Sequence, residues 1–146
     1  MSFLYLVLSV SVASLSLQVL AALAQDGEAI RFASPSLRDD AAVVLAAVTQ
    51  SGWALEFVPH RWQGDAAVVL AAVRQEGGSL ACAAEALQAN REVVLAAVAA
   101  PHEDPWREAT ALHFASPELR ADKVLEQRND AVFKLKLDLV ELLGEG

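Results

Sequence analysis

"VVLAAV" occupies residues 43–48, then 68–73, then 93–98, each copy 25 residues after the one before. The step carries other letters with it. Gly27, Gly52 and Gly77 keep it, as do Ile30, Leu55 and Leu80, then Phe32, Phe57 and Cys82, then Asp40, Asp65 and Asn90. Backwards, it sets "QVLAAL" (18–23) on the same stretch; forwards, it fails at Pro101 and returns seven residues late, where "LHFASPELRAD" (112–122) repeats "IRFASPSLRDD" (30–40). A repeat period of this size marks a solenoid or array, because each unit buries its apolar face only by stacking on the next.

The chemistry of one unit predicts helices. Asp40, Asp65 and Asn90 stand directly before the apolar runs, where a side-chain oxygen accepts the free amides of a helix's first turn. Alanine is the best helix former and is depleted in strands, so the alanines outweigh the valines, and a leucine-rich repeat of strand plus helix is the runner-up. Gly27, Gly52 and Gly77 follow the runs where a left-handed residue commonly ends a helix. A run apolar on all sides is expected to be buried on all sides, with Leu45, Leu70 and Leu95 inside. A shorter second helix is expected over about 53–58, with Leu55, Phe57 and Trp62 inward and Glu56 and Arg61 outward. Ser34 and Ser116 are placed to cap the turn before Pro35 and Pro117.

The expected architecture is all-α: a short right-handed α-solenoid of about four helix-turn-helix repeats closed by a C-terminal capping helix. The units fall at about 17–40, 41–65, 66–90 and 91–122, the last with an insertion near 99–110. The first sixteen residues are ambiguous between a worn repeat and a signal or anchor. The stretch 18–23 is in register with the repeat, which favours a structural role and a cytoplasmic chain. A secretory or membrane-anchored chain is the reading if residues 1–24 act as a signal. In 123–146 a helix capped by Asn129 or Asp130 and stopped by Gly144 is expected, with Lys134, Asp138 and Glu141 on one polar face and Lys136 on the wrong side of it.

The tandem unit "D-x-x-V-V-L-A-A-V-x-Q-x-G-x-x-L-x-F-A-S-x-x-L-R-x-D" resembles the family catalogued as domain of unknown function 4116. That resemblance implies a repeat, and no activity, cofactor or catalytic residue. Unit three, with "CAAEALQAN" for the FAS–LR stretch, and unit four, with its insertion, depart from the pattern.

Function is less legible. A net charge of −8 with scattered Lys and Arg excludes phosphate-backbone binding, and Cys82, the only cysteine, excludes an intrachain disulfide and a CxxC site. There is no nucleophile elbow and no Gly-rich phosphate loop, so the chain reads as a non-enzymatic scaffold for a protein partner, without cofactor or metal. The insertion supplies the weak binding candidates: Trp106 as an anchor, with Glu103 and Asp104 beside it. The rival reading is a small metal-binding or metal-dependent protein centred on 99–113, using His102, Glu103, Asp104 and His113; a third is a fragment of a longer array.

Overall fold

The computed structural model describes residues 15–100 and 111–144. Every regular element among them is helical, and no strand occurs there. The helices are α1 (15–25), α2 (Pro35–Arg38), α3 (Ala41–Gln50), α4 (His60–Gln63), α5 (Ala66–Gln75), α6 (Glu85–Gln88), α7 (Arg91–Ala99), α8 (Pro117–Arg120) and α9 (Lys123–Gly144). Between long and short helices lie 3-10 segments at Gly27–Phe32, Gly52–Phe57, Gly77–Cys82 and Leu112–Phe114.

The long helices begin where the caps place them. Asp40 accepts from the amides of Ala42 and Val43, Asp65 from Ala67 and Val68, and Asn90 from Glu92 and Val93. Ser34 and Ser116 cap α2 and α8, each with proline in the first turn. The second helix expected over 53–58 is instead a six-residue 3-10 segment followed by a separate four-residue α-helix, so each unit has three helical pieces. Long 3-10 runs leave poorly bonded carbonyls, and the last residue of the short helix supplies donors for them: Gln63 Nε2 donates to the Leu55 carbonyl (3.1 Å) and Gln88 Nε2 to that of Leu80 (3.2 Å).

Two columns result. Long helices α3, α5, α7 and α9 pack in sequence order, and the 3-10 segments stack in the same order beside them. The core between the columns takes Val43, Val44, Ala47 and Val48 from α3, the equivalent residues of α5 and α7, and Ile30, Leu55 and Leu80 from the 3-10 segments. α1 contributes Leu23, 1% exposed, with Val19 and Leu20 packed against the cluster, as the register requires. At the other end Leu125 of α9 is fully buried.

The glycines act differently from the expectation. No described glycine has positive φ, so Gly27, Gly52 and Gly77 are not left-handed helix stops. Each instead begins a 3-10 segment, and the first two lie against the next unit's long helix. A Cβ on Gly27 would sit 2.3 Å from the Ala47 carbonyl oxygen, and one on Gly52 would sit 2.4 Å from that of Ala72. Backbone meets backbone there, and only hydrogen fits.

The long helices are not buried on every side. The first two valines, second alanine and last valine of each VVLAAV point into the core, while Leu45 is 41% exposed and Leu70 and Leu95 are half-buried. An α-helix in the outer column of a two-column stack keeps one free face, however apolar its letters. Phe32, the first of its register position among the described residues, is 80% exposed, while Phe57 is half-buried. Leu55 is buried, Trp62 half-buried, and Glu56 and Arg61 exposed.

The C-terminal helix also departs from expectation. α9 starts at Lys123, so Asn129 and Asp130 lie inside it and not at its start, and Gly144 is its last residue. Lys134, Asp138 and Glu141 share one exposed face as expected, but Leu135, Leu139, Leu142 and Leu143 are exposed as well, so the apolar side of the far half is not covered by the described residues. The Lys136 side chain lies outside the described residues, as do residues 1–14 and with them most of the ambiguous N-terminal segment. No helix among the described residues is long and apolar enough to cross a membrane.

Burial orders the mutational costs. Val69→Ala removes packing from a fully buried site and should cost about 2 kcal/mol, whereas half-buried Leu70→Ala should cost about 1 kcal/mol despite the larger side chain lost. Urea denaturation of the two variants checks the order.

Candidate functional site

Two surface features recur with the repeat. The first is the outer face of the long helices. Leu20, Leu45, Leu70 and Leu95 stand at one register position on neighbouring helices, with Ala46, Ala71 and Ala96 beside the last three. All of these are half-buried or exposed. Exposed positions nearby vary freely between units: Ala42, Ala67 and Glu92 at one, Thr49, Arg74 and Ala99 at another.

The second is a groove between successive short helices. One groove, of about 390 Å³, takes Pro35 and Arg38 from unit one and Glu56 to His60 with Gln63 from unit two. Another, of about 460 Å³, takes Glu85 and Gln88 from unit three and His113 to Pro117 with Arg120 from unit four. The two linings correspond position for position. Glu85 and Gln88 stand two periods beyond Pro35 and Arg38, and the unit-four residues stand two periods plus the seven-residue displacement beyond their unit-two counterparts. Phe57 and Phe114 therefore occupy one structural position in two grooves.

Short bonds across the unit boundary hold these grooves in shape. The Ala84 amide donates to the Gln63 carbonyl (2.9 Å) and, one unit on, the Ser116 amide to that of Gln88 (3.0 Å). At the first boundary the equivalent residue is Pro59, which has no N–H to give. Asp39 ties the units there instead: its carboxylate accepts from Arg61 Nε (2.5 Å) and Trp62 Nε1 (3.1 Å), and its carbonyl from Arg61 Nη2 (2.7 Å). Arg61 also lies over the Trp62 ring at 4.5 Å. Arg31 sits over Phe32 at 4.9 Å and Phe57 at 5.7 Å, linking the aromatic positions of units one and two. Arg91 pairs with Asp122 at the last boundary.

At the middle boundary the register places Ala81 and Cys82 where Glu56 and Phe57 stand. Unit three also buries the Ser79 hydroxyl without a hydrogen-bond partner among the described residues, at the position of Ala54. Cys82 is half-buried, and burial, helped by the Glu56 charge, pushes its thiol pKa up. The nucleophile is the thiolate, so Cys82 has the character of a packing residue.

The insertion candidates Trp106, Glu103 and Asp104, with His102, lie outside the described residues. Among the described residues no three His, Cys, Asp or Glu side chains gather to hold a metal ion, and His113 is exposed, its ring edge-on to Phe114 at 5.7 Å. Asp40, Asp65 and Asn90 act as caps, and Phe57 and Phe114 line the grooves. The outward leucines and the grooves were missed by sequence reasoning. The constancy of Leu45, Leu70 and Leu95 was visible, but it was read as burial.

With the unit's geometry in view, comparison with known families is direct. Residues 18–63 match the family model described as Domain of unknown function (DUF4116). The match runs from α1 to the last residue of α4, and so covers the first two units up to the end of the second short helix. No curated protein and no solved structure matches the chain.

The raised thiol pKa has a kinetic consequence. Cys82 should alkylate more slowly with iodoacetamide at pH 8 in the folded chain than in urea, because less of it is thiolate and half of it is covered. Folded-state stability should fall as pH rises through the ordinary thiol range, since the unfolded chain releases this proton first. Alkylation rates followed by mass spectrometry from pH 7 to 9 check the first sign, and urea denaturation over the same range, with Cys82→Ala as the control that lacks the thiol, checks the second.

Proposed function

We propose that this chain is a non-enzymatic helical-repeat scaffold that binds another protein along the outer face of its long helices. The observation that carries this reading is the constancy of Leu45, Leu70 and Leu95, with Ala46, Ala71 and Ala96, at positions that the core covers only in part, Leu45 being 41% exposed. Core packing accounts for the sameness of Val44, Val69 and Val94, each 0% exposed. It does not by itself require the same leucine at positions left partly open to water, beside exposed positions where the units have diverged to Ala, Glu, Thr and Arg. Contiguous apolar surface on a soluble protein marks an interaction face. The acidic balance of the chain favours a partner with basic groups around its own apolar contact.

A photo-crosslinking amino acid placed at Leu45 or Leu70, in the native cell, should yield one discrete protein adduct, and the same group at Arg61 should not. Identical adduct patterns from all three positions would overturn the assignment of this face. In the same preparation zinc should leave the melting temperature unchanged; a zinc-dependent rise abolished by Asp104→Ala would favour a metal protein instead.

A further inference from the structure

We propose that the two short-helix grooves are successive subsites for one extended peptide, read by two apolar anchors about five or six residues apart. The inference concerns different residues from the leucine row and stands or falls separately from it. Each groove is lined by one half-buried phenylalanine, Phe57 or Phe114, and by one arginine and one glutamate: Arg38 with Glu56, Arg120 with Glu85. The arginine and glutamate come from different register positions in the two grooves, so the units reach the same chemistry through different letters. Inherited periodicity alone does not produce that.

An apolar ring flanked by one fixed donor and one fixed acceptor suits a peptide. The ring takes a side chain, the guanidinium takes a backbone carbonyl, and the carboxylate takes a backbone N–H. A paired positive and negative charge in each groove gives no net attraction for a polyanion or a polycation. Arg38 carries the sharpest signal, because its Nε is buried with no hydrogen-bond partner among the described residues. A buried donor left unmade is costly, and a shift of this half-buried side chain toward a carbonyl seated in the groove supplies the acceptor.

The spacing follows from the stack. Packed helices sit 8–10 Å apart, so grooves two units apart are separated by roughly 16–20 Å. An extended chain advances about 3.3 Å per residue, which sets about five or six residues between anchors. The boundary between the two grooves carries Cys82 and Ala81 in place of phenylalanine and its charged neighbour, so the peptide crosses it without an anchor. A helical ligand would instead set its anchors about eleven to thirteen residues apart, since a helix rises 1.5 Å per residue.

The test pans the full chain against phage-displayed random dodecapeptides and titrates fluorescein-labelled winners by anisotropy. Enriched peptides should carry two aromatic or large aliphatic residues five or six apart. Arg38→Gln and Phe114→Ser should each weaken binding about tenfold, the loss of one anchor or charged hydrogen bond, while Arg74→Gln, at an exposed position outside both groove linings, should leave it unchanged. Circular dichroism melts confirm that each variant is folded, and Arg38→Gln, a polar exchange on a four-residue helix, keeps the test valid if Phe114→Ser unfolds. No enrichment above an unrelated helical-repeat control, anchors at helical spacing, or binding unchanged in both groove variants would overturn the proposal.

Discussion

The stack depends on one close approach: the backbone of Gly27 against the Ala47 carbonyl, and that of Gly52 against the Ala72 carbonyl. Each contact joins the start of a 3-10 segment to the long helix of the following unit. Because no side chain intervenes, the distance between units is set by backbone atoms and is the same at both boundaries. That constancy lets the 3-10 segments stack in one column and the long helices in another, with valine and alanine of the long helices filling the remaining space at 0–5% exposure. It also explains why the alanine of the contact is alanine. A larger side chain at Ala47 or Ala72, both fully buried, has no room beside the approaching segment.

Much of this was legible in the letters. The 25-residue step located the long helices, Asp40, Asp65 and Asn90 marked their first turns, and Ser34-Pro35 and Ser116-Pro117 marked the short helices that the structure shows. These signals are local: a cap acts within one turn of itself. The misread features are those in which the decisive partner lies a unit away. Glycine after a helix commonly means a left-handed turn, but at Gly27 and Gly52 it answers a carbonyl twenty residues further on. An all-apolar helix suggests burial all round, but Leu45 faces out because the stack covers only one side of its column. Asn129 and Asp130 look like caps in a chain whose helix had already begun at Lys123.

The surface was less legible for the same reason. A groove between units is lined by residues from two stretches of sequence, and the grooves at Phe57 and Phe114 are equivalent although only the phenylalanine recurs at its register position. Sequence reasoning fell on the insertion at 99–110, where unusual letters cluster. The described residues instead show two periodic surfaces, a leucine row on the long helices and grooves between the short ones. The proposed binding rests on these surfaces because a structural period in the protein presents regularly spaced contacts to an elongated partner.

The most direct measurement of the account is the stability of Gly52→Ala beside Gly64→Ala by urea denaturation. Neither glycine has positive φ, and a Cβ on Gly64 meets nothing closer than 3.7 Å, whereas one on Gly52 meets a backbone oxygen at 2.4 Å. Gly64→Ala should be neutral or stabilising by up to about 1 kcal/mol through the unfolded chain. Gly52→Ala should lose about 1–3 kcal/mol, the cost of forcing packed backbones apart. A Gly52→Ala variant as stable as the parent chain would contradict the close approach on which the stack is built.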